Sequence, residues 1–180
     1  MSLSSVVVAL ISLVTVANSG NSFVSARQLP QGAGATCNVT IPNGVVAGLS
    51  EPKAGSYGNA LLSVGPFGLW PDGTVVFKPN GAGFVTHDGA LGMKFGWTRG
   101  IRGRLKVTGH RLDGAAPHLR LSANNADVGV GFQATHLIFS TPGCWEITAQ
   151  VGGREDSTIT FVTRIVRIGE GPARWDPPNN

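Results

Sequence analysis

The sequence predicts an all-β protein, an antiparallel sandwich of about eight strands, and three observations carry that expectation. Short apolar segments bounded by turn residues recur from Asn59 onward at intervals of roughly ten residues, the spacing of sandwiches and barrels. Val, Thr, Ile and Phe are plentiful and good helix formers scarce, and several segments alternate, as strands that bury one face do. Glycine makes up 26 of the 180 residues, about twice its ordinary share of ~7%. At 42% hydrophobic the chain is too apolar to be disordered, and without glycine at every third position it is not collagen. No apolar run reaches the roughly 20 residues of a membrane-spanning helix.

Residues 6–17, VVVALISLVTVA, form an apolar run followed by small residues. Its length fits the core of a secretory signal peptide, with cleavage expected after Ser19 or Ala26, so residues 1–26 are predicted to be removed on export. The destination is the periplasm, the cell surface or the medium. Residues 27–56, rich in Gly, Pro, Ser and Asn, read as a leader or linker with one short strand at 39–41. The sandwich follows over 57–170. Strands are expected at 60–64 and at 74–77, the second entered through Pro71-Asp72-Gly73, and Asn80-Gly81 then turns the chain. In 91–97, Leu91, Met93, Phe95 and Trp97 alternate with Gly92, Lys94 and Gly96. In 101–108, Ile101, Leu105 and Val107 alternate with Arg102, Arg104 and Lys106, and Asp113-Gly114 ends the segment. A short strand at 118–122 and another at 132–139 follow, the latter closed by Thr141-Pro142-Gly143. In 145–151, Trp145, Ile147, Ala149 and Val151 turn inward. Gly152-Gly153 leads to a β-branched run at 158–168, and 171–180 reads as a disordered tail with three prolines. The last two strands have the form of the closing hairpin of an immunoglobulin-like sandwich. The antibody pattern itself is absent, because Trp145 directly follows Cys144 and the only tyrosine is Tyr57.

Cys37 and Cys144 are the only cysteines, so in an oxidising compartment the expected bridge has one possible connectivity. Asn38-Val39-Thr40 is a glycosylation sequon that matters only in a eukaryotic secretory pathway.

Three stretches, LWPDGTVVFKP, DGALGMKFGWTRGIRGRLKVTGHRLD and GFQATHLIFSTPGCWEITAQVGG, resemble a family of small exported bacterial proteins of uncharacterised function. That family's motifs run LWPDG, MKFxWxRGxRGxL and GCWE, and the resemblance covers roughly residues 57–168. It implies a β-sandwich and an exported life, and no activity. The upstream Cys37 with Val39-Thr40 and Pro42-Asn43-Gly44 is also family-like, which adds support for the bridge to Cys144. The chain departs from the family at His110 and at Gly96.

Charge is unevenly placed. Seven cations lie between Lys94 and Arg120 and only Asp113 opposes them, so this segment carries +6 while the whole chain carries +4. Arg102, Arg104 and Lys106, two apart along one strand, are expected on one exposed face. Lys94 and Arg120 extend the patch if their strands are neighbours. Such a strip attracts anionic glycans, lipid headgroups or acidic envelope proteins. The competing reading is a solvated face kept positive to discourage edge pairing. Nucleic acid is the least favoured partner, because no RNP, zinc-knuckle or phosphate-loop motif accompanies the strip. Trp70, beside the Pro71-Asp72-Gly73 turn, reads either as a stacking platform for a sugar or partner, or as a turn residue folded onto the sandwich edge.

Enzyme signatures are thin. There is no G-x-S-x-G and no H-E-x-x-H, Glu146 stands as a lone outward carboxylate, and His110 and His118 lack a placed carboxylate for a metal. No cofactor is implied. The expectation is an exported, non-enzymatic binding module for an anionic surface polymer. The alternatives are a structural or protective envelope protein without a specific ligand, and, last, an exported hydrolase.

Overall fold

Alternation of inward apolar and outward polar residues carries the chain into two facing sheets. The computed structural model describes residues 36–65, 72–123 and 129–177, all within the unit Gly32–Asn180. The predicted signal peptide lies outside the described residues. The strands are β1 (Tyr57–Gly58), β2 (Leu62–Gly65), β3 (Thr74–Phe77), β4 (Phe84–Val85) and β5 (Leu91–Arg99). They continue with β6 (Leu105–Arg111), β7 (Arg120–Ala123), β8 (Gly131–Phe139), β9 (Gly143–Val151) and β10 (Ile159–Arg167). Each of the eight strands expected within 57–170 has a counterpart, the largest shift being β6, which starts at Leu105. The two further strands, β1 and β4, have two residues each, too short for any period to announce them.

The first sheet runs β1-β2-β5-β8-β7, with β4 also paired to β5; the second runs β3-β10-β9-β6. The expectation of purely antiparallel pairing fails between β3 and β10, which are parallel with Val75 opposite Ile165, and at the isolated parallel bridge of Val85 to Arg174. Parallel neighbours need a long crossover, and here almost the whole domain lies between the two strands. Among the described residues the regular structure is all β apart from one 3-10 turn at Glu155–Ser157.

The core is the space between the sheets. From the first sheet come Leu62, Val64, Phe95, Trp97 and Leu137, and from the second Phe77, Trp145, Ile147, Val151 and Phe161, none more than 1% exposed. Phe95, Trp97 and Phe161 form a triangle with ring centroids 6.3–6.4 Å apart, which ties the sheets together at their centre. The two buried indoles have polar ends to satisfy. Trp97 Nε1 donates to Thr135 Oγ1 at 2.9 Å, and Trp145 Nε1 donates to the Thr141 carbonyl at 3.0 Å.

Two segments differ from their sequence reading. Residues 36–56, expected as leader or linker, pack on the sandwich instead. Val46 and Ala47 are buried, the Ala47 N–H donates to Ser63 Oγ at 3.0 Å, and the Thr40 N–H donates to the Val162 carbonyl at 2.9 Å. No strand forms at 39–41; Thr40 serves the stretch of β10 that β3 leaves unpaired, with one backbone and one hydroxyl contact to Val162. A disulfide joins Cys37 to Cys144, with Cα atoms 5.5 Å apart, and pins this segment to β9. The expected disordered tail likewise runs along β4 as far as the described residues go. The Val85 N–H donates to the Ala173 carbonyl at 3.0 Å and the Trp175 N–H to the Val85 carbonyl at 2.9 Å. The Trp175 ring meets Phe84 and His136 edge-on at 4.7 and 5.3 Å. Proline does not suit a helix interior or a central strand, but an extended Pro-flanked segment is already shaped for such an edge.

Candidate anion-binding face

The outer face of the second sheet presents polar side chains in rows. β6 is its edge strand. Across β6 and β9, Lys106 stands opposite Gln150, Thr108 opposite Thr148, and His110 opposite Glu146. The rows continue onto β10. Gln150 Nε2 donates to Thr158 Oγ1 at 3.0 Å, and the Thr148 and Thr160 hydroxyls lie 3.0 Å apart. Lys106, Thr108, Thr148, Gln150 and Thr158 line a shallow depression of about 130 Å³. His110 Nε2 comes within 3.9 Å of Glu146 Oε1, so Glu146 is outward, as read from the sequence, yet not alone.

The expected strip sits at one end of this face. Arg102, Arg104 and Lys106 are all exposed, while Leu105 and Val107 point into the core at 3% and 8% exposure. The strand itself supplies only Lys106. Arg104 lies one step before it and stays in the ladder, because its carbonyl accepts the Gly152 N–H at 3.0 Å. Arg102 lies beyond Gly103, whose φ of 142° breaks the two-residue period. A Cβ at Gly103 would come 2.5 Å from Gly152 Cα, so the close approach of the two backbones demands glycine there. Ile101, expected in the core, is only half-buried at its margin. The three cations therefore share one end of the sheet, not one uninterrupted strand face.

Three other arginines have carboxylate partners, whereas Lys53, Lys78, Lys94, Arg164, Arg167 and Arg174 are exposed and, like this group, have no carboxylate within ion-pair distance among the described residues. Arg111 lies 2.6 Å from Asp113, Arg120 3.0 Å from Asp88, and Arg154 2.5 Å from Asp156. Arg102, Arg104 and Lys106 have no carboxylate within ion-pair distance among the described residues. Lys94 and Arg120 do not extend the patch, since β5 and β7 belong to the first sheet. Lys94 stands opposite His136, whose pKa is lowered by burial and then by the Lys94 charge.

The Asp88 pair yields a pH prediction. The Thr86 hydroxyl, with Arg120 second, holds the Asp88 carboxyl down at about 2 against an ordinary 3.8. A depressed folded-state pKa means that its stabilisation is present above about pH 4 and is lost as pH falls through about 2. Side-chain exposures of 50% and 60% leave this pair well under about 1 kcal/mol. A carboxyl NMR titration should place the Asp88 midpoint near 2; a midpoint at or above 3.8 would contradict the contact.

Trp70 lies outside the described residues. Among those residues no group of three or more His, Cys, Asp or Glu side chains could hold a metal ion. No described helix is long and apolar enough to cross a membrane. The threonine and glutamine rows were missed by sequence reasoning. Thr108, Thr148 and Thr160 come together only through strand register, which no local pattern contains. Comparison with protein-family models finds no match, and comparison with curated proteins finds none.

Proposed function

We propose that this chain is an exported, non-enzymatic binding module on an immunoglobulin-like scaffold, and that it holds an anionic glycan on the outer face of its second sheet. The observation that carries the reading is clustering, three exposed cations without a carboxylate partner among the described residues lying within five residues of one another. Arg102, Arg104 and Lys106 are gathered at one end of a hydroxyl-lined face, whereas other exposed cations without a carboxylate partner among the described residues, such as Lys53, Lys78 and Lys94, stand far apart in the chain. Cations left unpaired beside rows of Thr and Gln suit a polymer that carries both charge and hydroxyls. A lipid headgroup or an acidic envelope protein offers the charge without the repeated hydroxyls. The disulfide supports an oxidising compartment, and the resemblance over residues 57–168 to a family of exported proteins is part of the same reading.

The test is retention on immobilised heparin. The triple variant Arg102→Ala, Arg104→Ala, Lys106→Ala should elute at clearly lower salt than the wild type, because exposed ion contacts are screened within about 8 Å at physiological ionic strength. Its melting temperature should barely move, since exposed substitutions usually cost within about 0.5 kcal/mol each. A control with the same charge change, Lys78→Ala, Arg120→Ala, Arg154→Ala, should stay near the wild type. Equal elution of the two triple variants would reduce the strip to net charge on a guarded edge strand.

A further inference from the structure

The opposite side of the molecule carries a cleft that the basic face does not explain. Where β2, β5 and β8 meet, the outer surface of the first sheet is stripped of large side chains: Gly65 stands opposite Gly96, and Gly96 opposite Ala134. The sheet floor is therefore backbone at this pair, bordered by the small side chains of Ser63 and Thr98. The segment carrying Val46, Ala47 and Leu49 forms one wall, and Val130 and Phe132 form part of the lining. The cleft measures about 400 Å³, inside the roughly 300–1,000 Å³ span of small-molecule sites. Its rim is apolar and open to water, with Leu49 64%, Val130 61% and Phe132 60% exposed. Three large apolar side chains exposed around one concavity mark a contact surface, where isolated ones would mark nothing.

The polar side chains of the lining are the hydroxyls of Ser56, Ser63 and Thr98 together with Lys53 and Arg99, and Ser63 Oγ already accepts the Ala47 N–H. Ser56 is 1% exposed, and its hydroxyl has no hydrogen-bond partner among the described residues. A buried hydroxyl left without a partner is costly, and a ligand atom that accepts its proton removes that cost. Lys53, exposed at the rim, has no carboxylate within ion-pair distance among the described residues. Arg99, 1% exposed, also lines the cleft and donates to the Gly103 carbonyl at 3.1 Å. No Asp or Glu is among the described lining residues.

We propose that this cleft binds an amphiphile with a single alkyl chain and an anionic head, the chain lying on the Gly65–Gly96 floor and the head meeting Lys53 and the Ser56 hydroxyl. The site is independent of the anionic-glycan reading, as it uses none of Arg102, Arg104 or Lys106. The occupant's apolar body follows from the exposed rim and the glycine floor. Its sign follows from the unpaired ammonium and from a lining without carboxylates. A second copy of the chain would need a broad flat surface, and a long polar polymer would leave the rim exposed.

The test is calorimetric titration of the disulfide-intact chain with decanoate and, separately, with decanol. The expected result is saturable binding of one decanoate per chain, unchanged in the Arg102→Ala, Arg104→Ala, Lys106→Ala variant. Gly65→Leu should weaken decanoate at least tenfold without lowering the melting temperature. A Cβ at Gly65 meets only the Gly96 carbonyl oxygen, at an ordinary 3.7 Å, so the added side chain enters the cleft and not the sheet. Should that variant misfold, Val130→Asp with Phe132→Ser, both exposed, should produce the same loss. Lys53→Ala should weaken decanoate about fivefold and leave decanol unchanged. Absence of saturable binding, or equal affinity in the blocked variants, would overturn the proposal. So would binding that the triple variant abolishes, which would place decanoate on the basic face. A dimer that Gly65→Leu dissociates would overturn it too, by assigning the cleft to a second copy.

Discussion

Trp97→Ala is expected to lower the unfolding free energy by about 4 kcal/mol, the usual range for removing a fully buried aromatic being about 3–5 kcal/mol. The indole is 0% exposed and belongs to the triangle with Phe95 and Phe161 that joins the two sheets. Its removal leaves a cavity between two rigid β layers, which cannot collapse as a loop could. A second loss is polar. Thr135 Oγ1, on a residue 2% exposed, accepts the Trp97 N–H at 2.9 Å and would lose that donor. Trp97→Phe narrows the comparison, because it removes the donor while keeping much of the ring contact; about 1–3 kcal/mol is expected there. Urea unfolding followed by far-ultraviolet circular dichroism measures both. A loss below about 1.5 kcal/mol for Trp97→Ala would mean that the two sheets are not joined through this triangle.

The second large effect belongs to the disulfide. Replacing Cys37 and Cys144 together by alanine should cost about 3–4 kcal/mol, because the bridge closes a loop spanning 107 positions and so restricts the unfolded chain. At a few degrees per kcal/mol for a domain of this size, the melting temperature should fall by about 10 °C. The variant should still fold, since the main core of Trp97, Trp145, Phe161 and their neighbours includes neither cysteine. Loss should be greatest in the segment around Thr40, which the bridge holds beside β10 through two contacts to Val162. Hydrogen exchange of the Thr40 amide in the variant checks that location. An unchanged melting temperature would contradict the loop-closure account, and complete unfolding would contradict a core that stands without the bridge.

Strand identity was legible in the sequence because one-sided burial writes itself as a period of two. Leu91, Met93, Phe95 and Trp97 point inward as their alternation requires, and so do Trp145, Ile147, Ala149 and Val151. Cys37 and Cys144 had only one another. The same period failed at Gly103, where a glycine with a φ of 142° carries the backbone where alternation does not lead, so Arg102 left the strand that local pattern gave it. It failed again at residues 36–56 and 173–175, whose composition is that of loops. Their place against Ser63, Val162 and Val85 depends on edges that those segments do not themselves contain.

By itself, then, the sequence determined which residues face inward, where most strands begin and end, and where charge accumulates, because each of these follows from neighbours along the chain. Tertiary structure alone decided which strands are neighbours. Register set Thr108 beside Thr148 and Thr160, gave Glu146 its His110, and removed Lys94 and Arg120 from the basic face. It also laid Gly65 against Gly96, so that two glycines far apart in sequence became the floor of one cleft. The physical reason is that a strand's side-chain pattern fixes its faces but not its partners. Partners follow from how ten short elements together bury one shared core.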